Sequence, residues 1–122
     1  MENKDPLTER IIACCFKVHN ELGPGFSEKI YQRALVLALR EENLKHETEK
    51  EFDVYFQNKK VGSLRLDLIV ENQVIIELKA LTGNMPEVFK YQILSYLKIS
   101  GLKVGLIINF GNKSCLIKRF MN

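Results

Sequence analysis

Three charged side chains interrupt two apolar stretches of the chain in a pattern that could support metal-dependent chemistry. Asp67 lies in the first stretch, and Glu77 and Lys79 lie in the second, beyond a polar segment at residues 71–73. Two carboxylates that face each other on paired strands repel, so the pair is destabilising unless something compensates for it. A hard divalent cation removes that penalty, because proteins hold Mg²⁺ with one or two carboxylates, water and phosphate oxygens. A magnesium site is therefore one hypothesis for this pair.

The length of the turn between the two stretches decides whether these charges share a face. Side chains alternate between the faces of a strand. With a three-residue loop at 71–73, Val70 pairs with Val74 and Asp67 lies opposite Glu77. A two-residue loop would place the two carboxylates on opposite faces. The three-residue loop makes one face wholly apolar, formed by Leu64, Leu66, Leu68, Val70, Val74, Ile76 and Leu78, and the other face carries Arg65, Asp67, Glu77 and Lys79.

The same charges also fit a purely structural interpretation. Strand pairs with a charged, solvated outer face are common, and surface pairs such as Lys79 with Asp67 or Arg65 with Glu77 would contribute little stability. In the functional interpretation, Lys79 would orient or activate a water molecule, or stabilise charge that develops on a phosphate. The strand geometry alone leaves both interpretations open.

Four separated segments of the chain resemble one known family. Asp67, followed after nine residues by Glu77-Leu78-Lys79, resembles the motif of the PD-(D/E)XK nuclease superfamily. Residues 25–31 contain G-x-x-E-x-x-Y, the pattern of its GxxExxY branch. Residues 91–97 and 105–111 are similar to the later blocks of that branch. The resemblance therefore covers nearly the whole chain.

The resemblance implies both a fold and a reaction. The fold is mixed α/β (α+β), with a restriction-endonuclease-like αβββαβ core in which helices flank a central mixed sheet. The reaction is hydrolysis of the phosphodiester bonds of nucleic acid with Mg²⁺ or Mn²⁺. The metal ligands would be Asp67, Glu77 and the backbone carbonyl of Leu78. Lys79 would position or activate water, and Glu28 would join the catalytic set.

Residues on the second and third predicted helices each have both a functional and a structural interpretation. Glu28 and Tyr31 lie three residues apart and share a helix face. Their spacing alone favours a first-turn glutamate stabilised by the helix dipole and a tyrosine at the core edge, whereas the resemblance places both at the site, with Tyr31 as an orienting residue. Gln92 would bind a phosphate, water or Lys79, or it would be solvated at the helix surface. Phe89 departs from the family pattern, because many relatives carry histidine there.

Hydrophobic periodicity predicts the elements that position these residues. Helices are expected at about 7–22, from Ser27 onward, and from Pro86 to about 99, with Gly23 and Gly101 ending the first and third. Strands are expected around residues 52–56, Asp67 and Glu77, and at 104–109 and 115–120.

Composition limits the class of protein. The 122 residues suit a single domain over 1–122 with a flexible tail at 1–6. No apolar run is long enough to span a membrane, and the polar start is not a secretory signal, so a cytoplasmic protein is expected. The three cysteines predict buried thiols, and His19 and His46 are interpreted as exposed and not as metal ligands. The net charge of +3 permits nucleic-acid binding without requiring it.

Three classes of function stay open on these observations. The intact Asp67, Glu77 and Lys79 favour a metal-dependent endonuclease. The alternatives are a catalytically silent nucleic-acid-binding or assembly module, and a regulatory protein that acts through a homodimer or a host complex. Nucleic acid, DNA first, is the expected partner, with no membrane and no nucleotide or organic cofactor. The substrate would be held by Lys59, Lys60, Arg65 and Lys90.

Overall fold

The computed structural model describes residues 5–122, which form a five-stranded mixed sheet flanked by helices. Along the chain the elements are α1 (Pro6–Leu22), α2 (Glu28–Glu41), β1 (His46–Phe56), β2 (Lys59–Val70), β3 (Val74–Lys79), α3 (Val88–Ser100), β4 (Val104–Asn109) and β5 (Leu116–Met121). The strands lie in the order β1-β2-β3-β4-β5, and only β3 and β4 pair in parallel. The segment from α2 to β4 is the expected αβββαβ core, so the predicted fold is confirmed.

The sheet buries apolar side chains on both of its faces. Helices α1 and α2 cover one face, where the main core includes Leu68, Val70, Val74, Ile76 and Leu78. Helix α3 covers the other face, where Ile69 and Ile75 pack with Leu97. A central strand that is covered on both sides needs apolar residues at consecutive positions. The face that was predicted to be charged is therefore apolar near the hairpin turn, at Ile69 and Ile75, and charged only farther from the turn, from Asp67 and Glu77 onward.

Leu66 corrects the predicted membership of the apolar face, because it packs with Ile69 and Ile75 and not with Leu68. The regular pairing of β1 with β2 skips Glu49, which would lie opposite Asp67. Glu49 has a left-handed backbone with φ of 54°, a conformation that is uncommon for residues other than glycine. The strict alternation of side chains is therefore interrupted at the level of Asp67.

Local signals fix the ends of the helices. The Asp5 carboxylate accepts a hydrogen bond from the Leu7 N–H at 3.0 Å, and Pro6 begins α1, a position that tolerates proline because its N–H would be unpaired there. Of the tail predicted at 1–6, residues 1–4 lie outside the described residues and the last two form this helix start. Gly23 and Gly101 end α1 and α3 with φ of 68° and 76°, as predicted.

One prediction about side-chain exposure is wrong. His19 is buried, its Nε2 lies 2.9 Å from the Asn112 carbonyl oxygen, and its ring stacks on Phe110. His46 is half-buried at the start of β1. Cys14 and Cys15 are buried free thiols, as expected, whereas the free thiol of Cys115 is only half-buried. None of the helices in residues 5–122 has the length and apolar character that crossing a bilayer requires.

Candidate active site

The turn between β2 and β3 sets the register of the two central carboxylates. A loop at residues 71–73 joins the strands, and Val70 pairs with Val74, so the predicted three-residue loop is confirmed. Backbone pairing of β2 with β3 ends just before the level of Asp67 and Glu77. The two strands therefore diverge into a fork at the position where these carboxylates face each other.

Side chains replace the missing backbone hydrogen bonds at this fork. The Asp67 N–H donates to Glu77 Oε1 at 3.2 Å, and the Leu78 N–H donates to Asp67 Oδ2 at 2.9 Å. Glu77 is only 7% exposed, whereas Asp67 is half-buried. The geometry thus holds two carboxylates side by side in a largely buried setting.

The backbone carbonyl of Leu78 points towards the same fork. The Phe110 N–H donates to the Lys79 carbonyl oxygen at 2.9 Å, so the backbone groups of Lys79 face β4. Backbone polar groups of consecutive strand residues point to opposite sides, and those of Leu78 therefore face β2. Its N–H is already bonded to Asp67, and its carbonyl adds a third oxygen beside the two carboxylates.

Helix α2 brings Glu28 to the fork. Ser27 caps the helix by accepting the Ile30 N–H at 3.4 Å, and Glu28 is the first helical residue. One turn further on, Gln32 Nε2 donates to the Asp67 backbone carbonyl at 2.9 Å, which docks α2 against β2. Although Glu28 is exposed, partial desolvation raises the pKa of its carboxyl, which the charge of Lys79 lowers and that of Asp67 raises.

Lys79 completes the group and is held by an aromatic ring. Its Nζ lies 4.1 Å from the centre of the Phe89 ring on α3, a distance that gives a favourable cation–π interaction. The charge of Lys79 also acts on the pKa of Glu28 and on that of Glu77. The structure therefore brings Glu28, Asp67, Glu77 and Lys79 together.

The electrostatics of the fork disfavour two ionised carboxylates. Burial, followed by the negative charge of Asp67, raises the pKa of Glu77 to about 8, although the Asp67 N–H and Lys79 oppose the shift. Burial also raises the pKa of Tyr96 on α3, and the charges of Glu77 and Asp67 add to that effect. The buried Glu77 therefore bears most of the electrostatic cost of this arrangement.

The raised pKa predicts how stability depends on pH when divalent metal is absent. Glu77 has a pKa of about 8 in the folded protein and an ordinary value of 4.5. The folded state therefore binds more protons between these values, and the free energy of unfolding falls as pH rises through that window, by at most about 1.4 kcal/mol per pH unit. Urea denaturation in EDTA across this window measures the slope.

Glu77→Gln should flatten this slope, because its amide keeps an oxygen acceptor for the Asp67 N–H and carries no titrating charge. Glu21→Gln, an exposed glutamate at the end of α1, should retain the wild-type slope. Equal slopes in the wild type and in Glu77→Gln would show that folding does not raise the pKa of Glu77.

Tyr31 lies in the core, apart from the four gathered residues. Tyr31 is fully buried, donates to the Gly23 carbonyl, accepts from the Phe26 N–H at 3.2 Å and stacks on Phe110 at 4.5 Å. It therefore secures the loop that precedes Glu28. Gln92 is exposed on α3, as its solvated interpretation predicts.

Of the four residues predicted to hold substrate, Arg65 lies nearest to the carboxylates. It lines a cavity of about 300 Å³ together with Asp67, Glu28 and Leu78. Lys60 instead pairs with Asp53 at 3.2 Å. The other two are Lys59, exposed at the start of β2, and Lys90, which lines a separate cavity between α3 and β5.

Sequence reasoning missed Gln32 and Asn109. Gln32 lies four residues after Glu28, and this helical spacing was the available signal. Asn109 is fully buried, and its Oδ1 accepts from the Leu81 and Gly111 N–H groups at 2.9 and 3.0 Å while its Nδ2 donates to the Leu81 carbonyl at 3.0 Å. A side chain on Gly111 would lie 2.4 Å from the Leu81 backbone. Residues 105–111 thus anchor the segment that follows Lys79.

The donor groups at the fork do not by themselves form a complete metal cage. Within residues 5–122, no group of three or more His, Cys, Asp or Glu side chains has an arrangement that could hold a metal ion. Two carboxylates and one backbone carbonyl remain as the oxygen donors of the fork. Mg²⁺ is usually held in this manner, with one or two carboxylates and the remaining positions filled by water or substrate phosphate.

Comparison with known proteins gives one family and one similar fold. The model of the PD-(D/E)XK nuclease superfamily matches residues 5–120. The crystal structure of SSO0001 is similar, with a TM-score of 0.60 and 20% sequence identity, and the match covers 77% of this chain and 49% of that chain. This chain thus spans about half the length of that protein, and a likeness at this identity shows the fold alone. No curated protein matches the sequence.

Proposed function

Because the chain belongs to the PD-(D/E)XK nuclease superfamily, we propose that it is a metal-dependent nuclease with its site at the fork between β2 and β3. The observation that carries the proposal is the pair of hydrogen bonds across the fork, from the Asp67 N–H to Glu77 and from the Leu78 N–H to Asp67, which holds two carboxylates together in a largely buried setting. We assign it to the GxxExxY branch on the pattern at residues 25–31. DNA is its proposed substrate, and the cytoplasm is its proposed location.

The oxygen donors of the fork suit Mg²⁺ or Mn²⁺. Asp67, Glu77 and the Leu78 carbonyl supply hard oxygen ligands, which these cations prefer over nitrogen and sulfur. One Asp67 oxygen already accepts the Leu78 N–H, but a carboxylate has about four acceptor positions, so it can still bind a cation. A bound divalent cation would polarise the scissile phosphate and increase the acidity of nearby water.

Lys79 supplies the positive charge of the site in this proposal. The Phe89 ring covers one side of its ammonium group, which limits its motion and leaves the remaining donors for phosphate or water. A fixed positive group near the developing negative charge lowers the activation barrier because it needs no reorganisation during the reaction. Lys79 would therefore position the attacking water and stabilise the phosphate.

Glu28, Gln92 and Tyr31 have supporting roles. Glu28 shares the cavity with Asp67, and partial desolvation raises its pKa, so it is suited to exchange protons or to orient water. Gln92 is exposed on α3 and would contact the substrate from that helix. Tyr31 acts indirectly, because its hydrogen bonds hold the loop before Glu28.

A binding module without turnover is the second candidate function. It is favoured by one observation, the lack of a ready group of three metal-binding side chains within residues 5–122. Such a protein would bind nucleic acid through the same surface and would not cleave it.

A panel of single-stranded, duplex and branched DNA and RNA with Mg²⁺ or Mn²⁺ separates the two candidates. The wild type should cleave at least one member, and Asp67→Ala should cleave none. Asp53→Ala removes an exposed aspartate on the β1–β2 hairpin and should cleave as the wild type does. Binding of metal and nucleic acid without cleavage of any member would instead establish the binding module.

A further inference from the structure

A groove with a basic wall runs between α2 and β1, outside the fork. We call it the α2–β1 groove. Lys29, Arg33 and Arg40 of α2 line one wall, and His46, Thr48 and Glu49 of β1 line the other, around a cavity of about 430 Å³. Its size is within the range of pockets that enclose one small ligand.

The cations of this groove form a stripe along one helix face. Lys29, Arg33 and Arg40 occupy positions i, i+4 and i+11, which lie on the same side of a helix. At 1.5 Å per residue, the stripe extends about 17 Å along the axis. Arg33 and Arg40 are exposed, and neither forms an ion pair with any residue between positions 5 and 122. Their charges are therefore available to an anionic ligand.

The α2–β1 groove leads directly into the candidate active site. Lys29, Gln32 and Glu49 line both the groove and the cavity that contains Asp67. Gln32 also donates to the Asp67 backbone carbonyl at 2.9 Å. A chain of phosphates lying along α2 would thus end beside the carboxylates of the fork.

Glu49 occupies the junction between the groove and the site. Its carboxylate is paired with Lys29 on α2, and its second oxygen lies 3.7 Å from Arg65 Nη1 on β2. Lysine and arginine bind a carboxylate and a phosphate through the same charge-assisted hydrogen bonds. Glu49 therefore occupies the position between these two cations that a phosphate would take.

From this geometry we propose that the α2–β1 groove binds a single strand of nucleic acid through its phosphates and directs it to Asp67. The proposal rests on the proposed nuclease function and names the form of its substrate. The three cations face the phosphates, and Leu37, an exposed apolar residue between Arg33 and Arg40, provides a surface for a base or sugar. A cavity of about 430 Å³ has the volume of a small ligand, which matches one nucleotide of a single strand at a time and not a base pair of a duplex.

Binding of a fluorescein-labelled oligothymidylate of about 12 nucleotides, within the usual site sizes for single strands, tests the proposal by fluorescence anisotropy in EDTA. The Arg33→Gln/Arg40→Gln variant should bind at least about tenfold more weakly at low salt. The slope of log affinity against log salt should become shallower by roughly 1.4, or about 0.7 for each lost phosphate contact. Glu49→Gln should bind more tightly than the wild type, because it frees Lys29 and Arg65.

The matched control is Lys98→Gln/Lys113→Gln, which makes the same change of charge at exposed positions on α3 and before β5 and should bind within about twofold of the wild type. Equal losses in the two double variants would overturn the proposal. The same variants are also titrated with a labelled duplex of the same length, and a loss confined to that duplex would overturn it as well. Because EDTA prevents metal-dependent cleavage, the two proposals fail separately. If binding depends on Arg33 and Arg40 but no nucleic acid is cleaved, only the proposed nuclease function is contradicted. If nucleic acid is cleaved but binding does not depend on Arg33 and Arg40, only the proposed role of the α2–β1 groove is contradicted.

Discussion

Lys79→Ala is expected to lower nucleic-acid cleavage at least about 100-fold, the usual loss when a positioned proton-transfer or charge-stabilising group is removed. Its ammonium group is held against Phe89, beside the two carboxylates, and it is the positive side chain whose charge acts on both Glu28 and Glu77. Alanine removes this charge and leaves the oxygen donors in place. The variant should therefore lose turnover and keep its stabilisation by metal.

Asp67→Ala should differ from Lys79→Ala in its stabilisation by metal. It removes one proposed metal ligand and the acceptor of the Leu78 N–H, so it should lose both cleavage and the stabilisation by Mg²⁺ or Mn²⁺. Lys98→Ala, at an exposed position on α3, should behave as the wild type in both assays. Equal residual cleavage by the wild type and by Lys79→Ala would trace the activity to a contaminating nuclease and refute the assigned role.

Mg²⁺ or Mn²⁺ should raise the melting temperature of the wild-type protein substantially. A ligand that binds only the folded state stabilises it by about 2.7 kcal/mol at a free concentration of 100 times its Kd, which corresponds to roughly 10 °C for a domain of this size. The reason lies at the fork, where burial, followed by the negative charge of Asp67, raises the pKa of Glu77. A bound cation would offset both effects by stabilising the ionised carboxylate.

Glu77→Gln should abolish the rise in melting temperature. Without metal, near neutral pH, it should be as stable as the wild type or more stable, because glutamine removes the free-energy cost of protonating or ionising the buried carboxyl on folding and keeps an acceptor for the Asp67 N–H. Glu21→Gln serves as the control and should show the full rise. If the wild type shows no rise, or if the rise survives in Glu77→Gln, then the proposed metal site is wrong.

The alternation of apolar and charged residues predicted the centre of the fold once a three-residue loop was chosen so that Asp67 and Glu77 share a face. The observed pairing of Val70 with Val74 agrees with that choice. Helix ends at Gly23 and Gly101 followed equally from local backbone chemistry. These features depend on residues that are close in the chain.

The family pattern indicated which charged residues to consider, but it did not indicate their contacts. The sequence suggested that Tyr31 belonged beside Glu28, since a helix places residues three apart on one face. In the structure its ring is committed to Phe110 and its hydroxyl to Gly23. Helical spacing sets the direction of the Tyr31 side chain. The ring that it meets, Phe110, is brought there by β4, which lies far away in the sequence.

Tertiary structure alone decided the details of the site. Asp67 bonds to Leu78 across the fork, Gln32 reaches Asp67 from another element, and His19 is buried by a turn that lies far away in the sequence. The left-handed Glu49 interrupts the alternation of β1, which no hydrophobic period encodes. The three hydrogen bonds join residues that are eleven or more positions apart in the chain. Such contacts form only when the packed helices and strands bring their surfaces together.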